Sequence, residues 1–141
     1  MRVLEKNRLT FSYLNSRYSV ELKPGKIWVS PLDENIDFKD FLLQEKITSW
    51  SMLTSDNPYS TPVSDEANRN KRQELISLLE SKGLKYWSSI AIANDKSWGP
   101  ESGYFIANIS REAALKIARD FQQNAIVTGG SDGLAEIVWT I

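Results

Sequence analysis

Cysteine and histidine are both missing from the 141 residues. Without cysteine there are no disulfides, no thiol nucleophiles and no thiolate metal sites. Without histidine there is no side chain whose unperturbed pKa lies near neutrality, which excludes Ser-His-Asp chemistry and His-ligated zinc. Any general acid or base is therefore a carboxylate, a lysine or a tyrosine. Excess charge of one sign is missing too: 17 basic against 18 acidic residues leave a net charge of −1. Such a balance provides no global field for a polyanion, so nucleic acid is not indicated as a partner. Long apolar runs are also absent. The N-terminal MRVLEKNRLTFSYLNSRY is interrupted by charges every few residues, which suits neither a signal peptide nor a membrane span and leads us to expect a cytoplasmic protein.

What is present is ordinary core material. Hydrophobic residues make up 41 %, and five Trp, five Tyr and five Phe supply bulk. At this length one core buries about two thirds of the unfolded chain's surface, so residues 1–141 are expected to form a single domain.

Apolar spacing from Val3 to Leu14 suggests a helix. Tyr18, Val20 and Leu22 alternate, Pro24-Gly25 turns the chain, and Ile27 to Val29 returns as the second arm of a hairpin. A short amphipathic helix is expected within Leu32–Gln44, then a strand covered on both faces from Ile47 to Thr54. Ser64 as N-cap, Asp65 and Glu66 in the first turn and Gly83 at the end mark a helix from Asp65 to Lys82. Strands follow at Lys85–Ala93 and Gly103–Asn108, separated by a loop carrying Trp98 and Glu101. Ser110 caps another helix, and Ala125–Thr128, a Gly-rich turn at 129–133 and Leu134–Ile141 form a closing hairpin with Ala135, Ile137, Trp139 and Ile141 inward. Strand pairs separated by single helices predict an α+β fold, with helices packed on a mixed, mainly antiparallel sheet.

The apolar stripe of Leu75, Leu78 and Leu79 projects back through Ser64, Asn68, Lys71 and Arg72, which are polar where a core would continue. Either Asn68 ties down the preceding loop while the cations are solvated, or these residues face a cleft suited to an anionic or amide-bearing ligand. Asn57, in the Asp56-Asn57-Pro58 turn, stands at the carboxyl end of a strand, where ligands collect in open sheets. Trp98 has the flat ring for stacking and Glu101 a carboxylate for hydrogen bonding or proton transfer, while Gln123 and Asn124 open a strand with amides able to read a polar ligand. The carboxylates show no spacing that singles out a metal site.

Ser55-Asp56-Asn57-Pro58, Ser64 to Arg69 leading to Leu75, Trp98-Gly99-Pro100-Glu101-Ser102 and Phe121-Gln122-Gln123-Asn124-Ala125 together resemble the bacterial and phage family called domain of unknown function 3293, over about residues 47–141. The resemblance implies a small protein with no assigned activity or cofactor, and it groups these segments as walls of one shared cleft. Where the family pattern has an aromatic or aliphatic residue before Asn-Pro, this chain has Ser55 and Asp56.

The expected function is binding of a small polar or nucleotide-like ligand beside the Asn57 loop. Asn57, Asn68, Asn124 and Gln123 would be hydrogen-bond readers, Arg69 or Arg72 anion partners and Trp98 a stacking plate. Two alternatives stay open: a regulatory module, such as a counter-defence protein, that docks on a protein partner through Tyr59 and Trp98, and a hydrolase or transferase using Glu101 as its catalytic carboxylate.

Overall fold

A computed structural model of the chain describes residues 3–31, 33–95 and 99–140. Seven strands form one sheet in the order β2-β1-β4-β5-β3-β6-β7. The strands are β1 (Ser16–Glu21), β2 (Lys26–Val29), β3 (Ser49–Leu53), β4 (Tyr86–Ala93), β5 (Glu101–Ala107), β6 (Ala125–Gly130) and β7 (Ala135–Trp139). Every neighbouring pair is antiparallel. The helices are α1 (Val3–Leu14), α2 (Ile36–Gln44), α3 (Asp65–Ser81) and α4 (Arg111–Asp120). The architecture is the expected α+β one.

Local chemistry places the helix ends. The side chains of Asn35, Ser64 and Ser110 each accept a hydrogen bond from the backbone N–H three residues on, satisfying a donor that the first turn would otherwise leave open. Gly83 follows α3 with φ of +66°, a conformation that costs a side-chain-bearing residue energy.

Alternation along the strands divides the core in two. On one face Trp50, Phe105, Trp87 and Val20 pack against Phe38, Phe41 and Leu42 of α2. On the other, Leu53, Tyr104, Ile106 and Ile126 pack against Leu75 and Leu79 of α3 and Ala114, Ile117 and Ala118 of α4. β3 thus buries both its faces, which accounts for its lack of a simple polar–apolar alternation. The first helix lies on the α2 side and touches both β1 and β7, strands far apart in the sheet order, so the curled sheet closes toward it. Trp139 Nε1 donates to Thr10 Oγ1 at 3.0 Å, and Tyr18 OH donates to the carbonyl of Tyr13 at 2.9 Å.

Two placements differ from expectation. Glu101 and Ser102 lie not in a loop but at the start of β5, where Glu101 pairs with Ala91, because the β4–β5 hairpin runs further than the Gly99-Pro100 signal implied. Gly129 and Gly130 belong to β6 rather than to the turn; a Cβ on Gly129 would collide with the carbonyl of Leu134 and sit 2.5 Å from the Trp50 ring, so glycine there admits both. The stacking role expected of Trp98 and the inward position expected of Ile141 lie outside the described residues. No helix among those described is long and apolar enough to cross a membrane.

Candidate functional site

A cavity of about 460 Å³ opens between α1 and the sheet. Its origin is a step in side-chain size along neighbouring strands. In β4 the inward series is Trp87, Ser89, Ala91; in β5, Phe105, Gly103, Glu101, and the register sets Trp87 beside Phe105, Ser89 beside Gly103 and Ala91 beside Glu101. The rings fill one end of the face, and the small residues leave the other empty. Leu9, Ser12 and Tyr13 from α1 cover the gap, consistent with their spacing on one side of a helix.

Gly103 is a steric requirement. A Cβ there would meet the carbonyl oxygen of Leu53 at 2.7 Å, so any side chain would force β3 and β5 apart.

The loop leaving β3 has an unusual backbone. Asn57, Tyr59 and Ser60 all have φ near +50° to +60°, a left-handed region that non-glycine residues enter at a cost. The loop is held there by bonds to α3, to β5 and to the segment 122–124. Tyr59 N–H donates to the carbonyl of Gln122 at 2.7 Å, and Gln123 Nε2 donates to the carbonyl of Asp56 at 3.0 Å. Asn124 Nδ2 donates to Ser60 Oγ at 3.0 Å. Arg72 grips Asp56 with two bonds, Nε to Oδ1 at 2.8 Å and Nη2 to Oδ2 at 2.5 Å.

Asn57 is the hub. Its N–H donates to Asn68 Oδ1 at 2.9 Å, and Asn68 Nδ2 returns a bond to Asn57 Oδ1 at 3.0 Å. Val63 N–H also donates to Asn57 Oδ1, and Asn57 Nδ2 donates to Glu101 Oε2 at 3.3 Å. Glu101 lines the cavity. Burial pushes its carboxyl from 4.5 up to about 7; the Asn57 bond and the Arg72 charge oppose that rise, and the Asp56 charge adds to it. Burial likewise raises the phenols of Tyr13 and Tyr18, with the Glu101 charge contributing to both, so they stay neutral near pH 7.

The structure therefore brings Asn57, Asn68, Glu101, Gln123 and Asn124 into one connected region, but not all at the cavity wall. Asn57, Glu101, Gln123 and Asn124 line it. Asn68 is buried behind Asn57 and ties the loop. Arg72 meets its anion within the chain at Asp56, whose side chain is 4 % exposed, and Arg69 stands exposed on α3 away from the cavity. Tyr13, Tyr18, Ser60 and Ser89 line the cavity without having been singled out in the sequence. The step from Trp87 to Ser89 to Ala91 was the available signal, but it acquires meaning only beside the matching step in β5. Among the described residues, no group of three or more carboxylates is gathered closely enough to hold a metal ion.

No curated protein and no solved structure matches the chain. A family model, described as Protein of unknown function (DUF3293), matches residues 53–126, a stretch that runs from the end of β3 through Asn57, Asn68, Glu101 and Gln123 into β6, and the chain belongs to that family.

Proposed function

We propose that the protein binds a small polar organic molecule in the cavity beneath α1. The observation that carries this reading is the cavity itself: about 460 Å³ is within the range of small-molecule sites, and its wall combines apolar surface with a few convergent polar groups, Glu101, Asn57, Ser60 and Asn124. The strained Asn57–Ser60 backbone, held from three sides, supports it, since strain of this kind clusters at functional sites. Asn57 and Asn124 act at the wall; Asn68 and Arg72 act behind it, as positioning residues. A nucleobase or nucleoside has suitable size and hydrogen-bonding edges for such a wall. Thermal denaturation across a panel of nucleosides, amines and other metabolites tests the reading. A ligand at a hundred times its dissociation constant adds about 2.7 kcal/mol of stability, and a panel without any shift overturns it.

A second reading is favoured by one observation, the Glu101 carboxyl set in the cavity wall beside Asn57, where burial pushes it up to about 7. A group so placed exchanges protons readily at neutral pH, as a general acid or base must. Under it, Glu101→Gln retains ligand binding and loses turnover; unchanged turnover excludes it.

A further inference from the structure

The charge of the cavity wall narrows the ligand class. Resting on the reading that the cavity binds a small molecule, we propose that its ligand is a flat organic cation or protonated base, an amidine or aminopyridine in type, whose N–H groups meet Glu101 while its face lies against Tyr13 or Tyr18.

Three features converge on this. First, Glu101 is the ionisable carboxylate at the wall, and no lysine or arginine is found among the described lining residues. An anionic ligand would meet this carboxylate with no described cation at the wall to receive it, whereas a cation would supply the counter-charge that burial makes valuable. Second, the neighbouring guanidinium is already committed. Arg72 holds Asp56 through two bonds, so neither charge of that pair is left to face a ligand. Third, Tyr13 and Tyr18 line the same space as Glu101, held side by side by the bond from Tyr18 OH to the carbonyl of Tyr13 at 2.9 Å. Neutral aromatic rings beside a carboxylate form a surface that attracts a delocalised cation through both the ring quadrupole and the full charge. An amidinium or aminopyridinium edge matches a carboxylate with two parallel N–H groups, as a guanidinium does.

The charged and titratable groups whose fields reach Glu101 are Tyr13 of α1, Tyr18 of β1, Asp56 of the loop and Arg72 of α3, and Asn57 bonds to it. Of these, the tyrosines stay neutral through pH 8. Cation binding is therefore expected to strengthen from pH 5 to pH 8 as Glu101 gives up its proton, while a neutral isostere stays flat.

The probes are 2-naphthamidine, 2-naphthamide and 2-naphthoate, which share one shape and differ in charge. Binding is measured on the full chain by thermal shift and by titration calorimetry at pH 5, 6.5 and 8. The expected result is that the amidine binds at least tenfold more tightly than the amide at pH 8 and that the naphthoate is weakest. Glu101→Gln, checked for an unchanged circular dichroism spectrum, should erase the amidine's advantage and its pH dependence. Should the variant not fold, the wild-type pH profile and the order of the three probes decide alone. Naphthoate binding as tightly as the amidine, or an amidine affinity that falls as pH rises, overturns the cation proposal and leaves the small-molecule reading standing. Absence of binding by all three overturns the cation proposal, and the nucleoside and metabolite panel then decides the small-molecule reading on its own.

Discussion

The sheet face beneath α1 and α2 has two halves built by the same strands. Under α2, Phe105 meets Phe38, Phe41, Trp50 and Trp87 at centroid separations of 5.9, 5.9, 5.5 and 5.8 Å, and Phe38 and Phe41 stand edge-on to Trp50 and Trp87 at 5.1 Å. Two residues along each strand, the rings give way to Ser89 and Gly103, and two further along to Ala91 and Glu101. One half is close-packed and apolar; the other is hollow and contains hydroxyls, amides and a carboxylate. A single hairpin register thus distributes both stability and open volume. A strand can anchor the core at one end only because the other end is released from doing so.

Emptying the filled half should be the most damaging change. Phe105→Ala should cost about 3–5 kcal/mol, read as a lower denaturation midpoint in urea; a loss below about 1 kcal/mol would mean that the rings are not the anchor. The next test uses pH. Because Glu101 favours its protonated form in the fold, its contribution to stability is full below 4.5 and is lost as pH rises through about 7. The protein should be less stable at pH 8 than at pH 5 by at most about 3 kcal/mol from this group, and Glu101→Gln should remove that share of the difference. The smallest effect compares equal enlargements of the two halves. Ala107→Leu, in the filled half, should cost about 1–3 kcal/mol by overpacking. Ala91→Leu, in the hollow half, should be neutral or stabilise by about 1 kcal/mol while abolishing any ligand-induced thermal shift. Equal costs at both positions would erase the distinction.

The elements and their ends were largely legible from local chemistry. Ser64, Asp65, Glu66 and Gly83 bracket α3, and the small-residue stripe of α4 meets the sheet as its spacing suggested. The convergence of Asn57, Glu101 and Gln123 was legible only as a grouping of segments, because the bonds joining them span 44 and 67 positions along the chain. The roles within the group were less accessible. In sequence Asp56 reads as a turn former and Arg72 as a cation for solvent or a ligand, and only the return of α3 beneath the loop joins them in a pair that buries the carboxylate. The cavity was not legible at all, since it consists of volume that Ser89, Ala91 and Gly103 do not fill, and its cover is the first helix, remote in sequence from every segment considered.

The pair of facing amides at Asn57 and Asn68 has a directional consequence. The main-chain N–H groups of Asn57 and Val63 can only donate, so each compels the amide it meets to present oxygen: Asn68 toward Asn57, and Asn57 toward Val63. Once those oxygens are assigned, the remaining end of Asn57, the one that meets Glu101, must be nitrogen. The polarity offered to the carboxylate is thus dictated by peptide groups that never touch it, relayed through two side chains that have no freedom to turn over. Exchange of either asparagine for aspartate would break this relay with an acceptor where a donor is obligatory, although the shape of the side chain would hardly change.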